Sequence, residues 1–286
     1  KPGKFVQADL DLLTAIGASA AVAIENARLY QTAVEKGRME RELQVARSVQ
    51  VSLLPTELPR LDGWDFAARW LPARQVSGDY YDTIPLSENR LGLLVADVTD
   101  KGMPAALFMA FTRSIVRASL AEANSPASGI SRANRLICSG STHGLFTTMF
   151  YAMLDPVARR LTWVNAGHNP ALHYNARTGK LTRLGATGLP LGIDLNAIYQ
   201  QQKFRLGPGD VVLLYTDGVT EATNASLEQF GLSNLEMIVS EHAAANTEGL
   251  LSGVEAAIYA FSGNHSSYDD ITMLAIKQLD YMFGDK

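Results

Sequence analysis

Cys138 is the only cysteine in 286 residues. A single thiol can form neither an intrachain disulfide nor a thiolate metal centre, so a reducing, cytoplasmic setting is expected. An excess of one charge is also lacking, since 25 Lys and Arg stand against 29 Asp and Glu. There is no basic stripe and no aromatic platform of the kind that binds nucleic acid. No uninterrupted apolar run approaches the roughly 20 residues needed to span a bilayer, and no basic-then-apolar leader precedes a cleavage site. Neither a membrane nor a nucleic-acid partner is therefore expected. Internal repeats, low-complexity segments and a glycine-rich phosphate-cradling loop are missing too. Because it opens at Lys1 rather than methionine, the chain is read as a fragment of a longer protein.

What is present is apolar material, 47% of the residues, enough for a sizeable core and more than one unit. From about Asp9 to Leu54 the sequence reads as helix almost without interruption. Leu13, Ala20, Ala27 and Val34 recur at seven-residue spacing, flanked by Ile16, Ala23, Ile24 and Tyr30. Such a stripe cannot be buried by one helix against itself, which predicts a dimeric, coiled-coil-like pairing. The series fails at Arg41 and Ser48 and restarts at Met39, Ala46 and Leu53. Gly37 lies inside that register step, where glycine costs about 1 kcal/mol of helix propensity relative to alanine, so a hinge is expected there.

The stretch with most chemical content runs from Val76 to Leu107. Leu91 to Ala96 is a short apolar run bounded by turn residues, which predicts a buried strand that ends at Asp97. Lys101-Gly102 then turns the chain, and Pro104 suits the first turn of a helix. A second carboxylate, Asp79, follows Gly78. The device recurs at Gly207 to Glu221, where an apolar strand ends in Asp217-Gly218. At Asp269-Asp270 it is reversed, with carboxylates opening the strand to Ile276. Taken singly, each pair is equally a turn or cap signal. Together they form an oxygen-only constellation, which suits a hard divalent cation. Asp82 and Asp100 are not expected to be direct ligands.

Further strands are predicted at Trp64 to Leu71, Ser77 to Pro85, Thr147 to Leu154, Arg160 to Asn165, Ala171 to Tyr174, Lys180 to Leu184, Gln200 to Leu206 and Val211 to Thr216. Helices are predicted at Met103 to Leu120, Ala127 to Ser139, Leu232 to Ala245 and Glu248 to Phe261. Strands in runs and helices in pairs argue for an α+β fold with antiparallel sheets.

The motifs VSGDYYD, ADVTDKGMPAALFMA, NAGHNPAL, GLPLGI, GDVVLLYTDGVTEATN and DDITMLAI follow one another in this order. The series resembles the bacterial PPM (phosphatase 2C-like) serine phosphatases of the SpoIIE and RsbU type, over roughly Leu54 to Leu279. The resemblance implies an αββα sandwich, two antiparallel sheets flanked by helices, with two Mn²⁺ or Mg²⁺ ions in a cleft at one end. It implies that Asp97 bridges the ions, that the Val98 carbonyl completes the first, with Asp79 on it directly or through water, and that Asp217 and Asp269 hold the second. It also implies that Arg74 grips the substrate phosphate. Leu12 to Tyr30 resembles the last helix of a GAF sensor domain, and Ala46 to Pro55 resembles the linker that precedes such phosphatase domains. The implied organisation is a sensor-derived dimerising helix at 1–54 and a phosphatase domain at 55–286.

The implied activity is metal-dependent removal of phosphate from serine or threonine of a regulatory partner-switching protein, a phosphorylated STAS-domain anti-anti-sigma factor or similar, by a cytoplasmic homodimer. The alternative is a catalytically idle phosphatase fold that only binds its partner. A two-metal nucleotide cyclase or phosphodiesterase fits Gly78 to Asp82 but not the later motifs. Two departures stand out. Lys101 occupies the place of a histidine in many relatives, which leaves the general acid unassigned, and Ser77 stands where glycine is usual. His168 reads as structural, and His143 and His242 have no evident partner.

Overall fold

The computed structural model describes residues 3, 6–87, 89–140, 144–263 and 269–279. The chain divides into two compact units, 1–47 and 48–286. The division falls at Arg47, and beyond it Gln50 and Leu54 are buried in the second unit, at 3% and 8% exposure.

The first unit is the body of α1 (Gln7–Leu53), a 47-residue helix continuous through Gly37. Alanine recurs along it and proline is absent, which favours an unbroken helix. Leu13, Ile16, Ile24, Tyr30 and Val34 are all exposed. One expectation needs correction here. An 18-residue window of α1 reaches a mean hydropathy of 1.3, long and apolar enough to cross a membrane by length and composition alone. Counting uninterrupted apolar runs missed it because small residues carry much of the window. The charge-free stretch, 12–24, is closed by Asp11 and Glu25.

In the second unit the elements run β1 (Trp64–Leu71), β2 (Tyr80–Pro85), β3 (Leu91–Val98), α2 (Met103–Ala121), α3 (Pro126–Gly140), β4 (Thr147–Asp155), β5 (Arg160–Ala166), β6 (Ala171–Asn175) and β7 (Lys180–Leu184). Then follow β8 (Gln202–Arg205), β9 (Val211–Tyr215), α4 (Asp217–Thr220), α5 (Gly231–His242), α6 (Thr247–Ser262) and β10 (Ile271–Gln278). They form two five-stranded sheets, ordered β1-β10-β9-β6-β7 and β2-β3-β4-β5-β8, with every pairing between named strands antiparallel. This is the expected sandwich with helices on its outer faces.

Strand alternation explains the layers. On β3, Leu91, Leu93 and Val95 pack between the sheets with Phe150, Val212, Leu214, Leu274 and Ile276. The intervening Leu94, Ala96 and Val98 pack outward with Phe108, Met109 and Val116 of α2 and Ile130 and Ile137 of α3. On the other sheet Leu213, Tyr215, Met273 and Ala275 meet Leu235, Val239, Leu251 and Val254 of α5 and α6. A strand covered on both faces has no polar side to show, so β3 and β9 read as continuous apolar runs. Arg69 of β1 adds an ionic tie to α6 through Glu248 and Glu255.

One local expectation fails. The strand predicted from Ser77 begins only at Tyr80, since the amides of Ser77 and Gly78 donate to side chains rather than to a neighbouring strand. Asp217-Gly218, where an apolar strand was expected to end, also opens the short helix α4.

Candidate metal centre

Asp97 shares the parity of Leu93 and Val95, so it belongs to the side of β3 that faces the other sheet, where the inter-sheet layer ends. Tyr80 pairs with Ala96, which sets Asp79 beside the same strand end. On the opposite sheet Met273 pairs with Tyr215, so Asp217 just after β9 and Asp269 just before β10 leave at one end. Each sheet thus contributes two carboxylates. The structure brings together Asp79, Asp97, Asp217 and Asp269, the four that the sequence singled out.

Their electrostatics are those of crowded anions. Asp79 is 2% exposed, and its Oδ2 meets no hydrogen-bond donor. Burial and then the Asp97 charge raise its pKa well above the ordinary carboxylate range. Burial and Asp217 lift Asp97 to about 7. Burial, Asp269 and Glu221 lift Asp217 to about 6. Oxygens of Asp217, Glu221 and Asp269 lie within 4.8 Å of one another, a spacing that could hold one cation. Glu221 escaped the sequence reading; its signal is the four-residue step from Asp217, which one helical turn converts into proximity. Lys101 Nζ stands 2.8 Å from Asp269 Oδ2.

The frame around the carboxylates is built from residues the sequence reading had left without a role. Asp270 Oδ1 accepts from Ala73 N at 2.7 Å, and its Oδ2 accepts from Ser77 Oγ at 2.6 Å and Gly78 N at 3.2 Å. Ser77 Oγ accepts in turn from Asp79 N at 3.0 Å, and Trp70 Nε1 donates to Asp79 O at 2.9 Å. Serine at position 77, where glycine is usual, is therefore part of the frame. Gly78 lets the loop approach β3, because a Cβ there would lie 3.0 Å from the Val98 carbonyl oxygen. At Gly218 the need is stronger: a Cβ would come within 2.0 Å of the Asp270 carbonyl oxygen.

Arg74 lies exposed in the loop between β1 and β2, next to the pinned Ala73 and at the carboxylate end of the sandwich. Asp82 is elsewhere. It is fully buried on the α2 side of β2, where Arg117 Nη1 donates to both its oxygens at 2.7 and 2.8 Å and Arg113 Nη2 stands 3.2 Å away. Asp100 takes a left-handed backbone with φ 77° and accepts from Lys101 N at 2.8 Å.

His168 is structural, as expected. Its Nε2 is 3.1 Å from Tyr215 O and its Nδ1 2.7 Å from Thr148 Oγ1, so Nε2 carries the proton and donates to the carbonyl. Burial lowers its pKa to about 4. His242 Nδ1 reaches Ile238 O at 3.1 Å within α5, and His143 lies outside the described residues.

These donors fit divalent cations. They are all oxygens, the buried Oδ2 of Asp79 needs a positive partner, and mutual repulsion pushes protons onto groups that a cation would strip.

The sequence profile of the family described as Stage II sporulation protein E (SpoIIE) matches residues 87–278. Protein IcfG of Synechocystis sp. is 31% identical over 271 residues, covering 85% of this chain and 42% of IcfG. Phosphoserine phosphatase RsbU of Bacillus subtilis is 29% identical over 242 residues, covering 84% of this chain and 71% of RsbU. The chain thus spans less than half of the first of these relatives. Among solved structures, the SiaA-PP2C domain of Pseudomonas aeruginosa superposes with a TM-score of 0.75 at 20% identity, covering 86% of this chain and 98% of that one. The catalytic domain of the serine threonine protein phosphatase PstP, in complex with two manganese ions, superposes at 0.54 with 17% identity, covering 76% and 99%.

Proposed function

This chain belongs to the Stage II sporulation protein E (SpoIIE) family, and on that premise we propose that it is a metal-dependent phosphoprotein phosphatase. Its substrate is phosphoserine or phosphothreonine on a regulatory partner-switching protein of the STAS-domain, anti-anti-sigma factor type. The observation that carries the reading is the convergence of Asp79 and Asp97 from one sheet with Asp217 and Asp269 from the other, with a buried carboxylate oxygen left unpaired. The name of RsbU and the manganese ions of PstP support it.

Two Mn²⁺ or Mg²⁺ ions are the proposed cofactors. Asp97 would lie between them, the Val98 carbonyl and Asp79 would complete the first, and Asp217 and Asp269 would hold the second, with Glu221 beside them. Such a pair supplies an activated water and neutralises the phosphoryl oxygens, which hydrolysis of a phosphate monoester requires. The protein residues do the rest. Asp270 and Ser77 fix the loop that carries Asp79, and Ala73 is held at the same carboxylate, which limits where the next residue, Arg74, can reach. The Arg74 guanidinium offers the planar fork that suits a phosphate group.

The upstream part of the proposal is a dimer. The exposed apolar residues of α1 would be covered by a second copy lying parallel to the first, and a sensor domain of GAF type would precede it. Action in the cytoplasm accords with the single thiol.

The test is release of phosphate, with and without Mn²⁺, from an aryl phosphate, a phosphoserine peptide and a cyclic dinucleotide side by side. Manganese-dependent turnover of the first two but not the third is expected. No turnover of any substrate, with manganese bound, would favour the idle binding module.

A further inference from the structure

Three carboxylates crowd together at Asp217, Glu221 and Asp269, and the protein brings a cation of its own to them. Lys101 Nζ lies 2.8 Å from Asp269 Oδ2 across a sequence separation of 168 residues, so the pair is a product of the fold and not of helical periodicity. The loop that delivers it is tightly specified. Asp100 and Gly102, on either side, both take left-handed backbone, φ 77° and 81°, and Asp100 Oδ1 accepts from Lys101 N. Asp is among the few residues with a side chain that tolerate this region, which they do by bonding locally. The loop also joins β3 directly to α2, so Lys101 is anchored three residues after the Val98 carbonyl.

We propose that Lys101 is a resident counter-ion of the Asp217–Glu221–Asp269 cluster, which an incoming divalent cation must displace from Asp269, so that residue 101 sets the affinity of that ion. The proposal rests on the reading of the carboxylates as a metal centre and assigns a regulatory element within it. An ammonium occupies with its N–H donors the same oxygen lone pairs that a hard cation needs. Its charge also repels the ion at close range. Displacement is feasible because the lysine side chain is 45% exposed and Asp269 30%, so the ammonium has water to retreat into on its flexible stem. Lysine suits the task better than arginine. A point charge on a four-carbon stem leaves a carboxylate more readily than a bidentate fork does.

Isothermal titration of the full chain with Mn²⁺ alone tests this, with Lys101→Met and Lys101→Gln as charge-removing variants and Lys101→Arg as the charge-keeping one. Both neutral variants should bind the ion at this cluster about ten-fold more tightly or better, and the arginine variant should bind it no more tightly than the parent. A second readout needs no ion: in chelator the neutral variants should melt below the parent, and saturating Mn²⁺ should close the gap. Unchanged or weakened Mn²⁺ affinity in both neutral variants, with the parent binding normally, overturns the counter-ion role and leaves the metal centre standing. Failure of parent and variants alike to bind Mn²⁺ overturns the metal centre and this proposal with it.

Discussion

Gln50 and Ser77 hold each other through two hydrogen bonds: Gln50 Nε2 donates to Ser77 O at 2.8 Å, and Ser77 N donates to Gln50 Oε1 at 3.1 Å. The last turn of α1 thereby grips the loop whose Ser77 hydroxyl reaches Asp270 and whose Gly78 precedes Asp79. Gln50→Leu keeps the volume but leaves two buried backbone groups unpaired, at a cost of about 3 kcal/mol. Thermal unfolding should occur at lower temperature and Mn²⁺ affinity should fall. If both stay at parental values, the grip has no bearing on the site.

Replacing Asp97, Asp217 or Asp269 by Asn removes a ligand and a negative charge while keeping the shape. Manganese-dependent phosphatase activity should drop to near background, and calorimetry should show at least one ion lost. In chelator the Asp97 and Asp217 variants should melt no lower than the parent, because one of several mutually repelling carboxylates is gone, whereas the Asp269 variant also loses its ion pair with Lys101. Full activity in any two of the three would refute the ligand assignment.

Acidity should act on the metal-free protein in an unusual direction. Asp97 and Asp217, raised to about 7 and about 6, keep protons in the folded state that the unfolded chain releases near pH 4. Their contribution to stability is therefore present at low pH and lost as pH rises through about 6 to 7. His168, lowered to about 4, has the opposite sign: its contribution is present above pH 6.5 and lost as pH falls toward 4. From pH 6.5 to 7.5 the carboxylates dominate, so melting temperature in chelator should decline, whereas with saturating Mn²⁺ it should hold or rise. Parallel curves in the two conditions would show that the cation does not bind these groups.

Gly218→Ala sets a methyl group against the Asp270 carbonyl oxygen and must shift either α4 or the start of β10. A loss of about 3 kcal/mol is expected in chemical denaturation, at the upper end for overpacking. Mn²⁺ affinity should weaken at the same time, since Asp217 and Asp269 sit on the two segments forced apart. Gly78→Ala, with a contact of 3.0 Å rather than 2.0 Å, should cost less.

At Gly37 the helix is open on all sides, and an added methyl would meet nothing within 4 Å. Gly37→Ala should stiffen α1 by about 1 kcal/mol of helix propensity without strain. If the register step there is a hinge, basal phosphatase activity should shift while the proposed dimer persists in sedimentation. Parental activity and signal response in this variant would mean that the step is only a change of stripe.

Much of the sandwich was legible because its central strands are buried on both faces: Leu91 to Ala96 and Val211 to Tyr215 could hardly be anything else. The four carboxylates were legible for a related reason, as polar residues placed where apolar runs stop. Asp270 and Gln50 were not. Each acts through hydrogen bonds to a loop far away in sequence, and nothing in the local pattern distinguishes them from a strand cap and a solvent-facing helix residue. Asp82, not expected to be a direct ligand, shares the parity of Tyr80 and Ile84, so it lies on the side of β2 that faces α2, where two arginines pair with it. The helix α4 has only four residues, too few for periodicity to register, and so Glu221 went unnoticed.

Because Asp79 and Asp97 ride on one sheet and Asp217 and Asp269 on the other, the centre is a gauge of how the two halves of the sandwich are seated. Its dimensions are set by the layer of Leu93, Phe150, Leu214 and Leu274 that separates the sheets. Trimming or enlarging one of those side chains changes the gap between ligand pairs without touching a ligand. On the proposed ligand assignment cation affinity should respond to such changes in the middle of the core, and neither sheet taken alone carries all four aspartates.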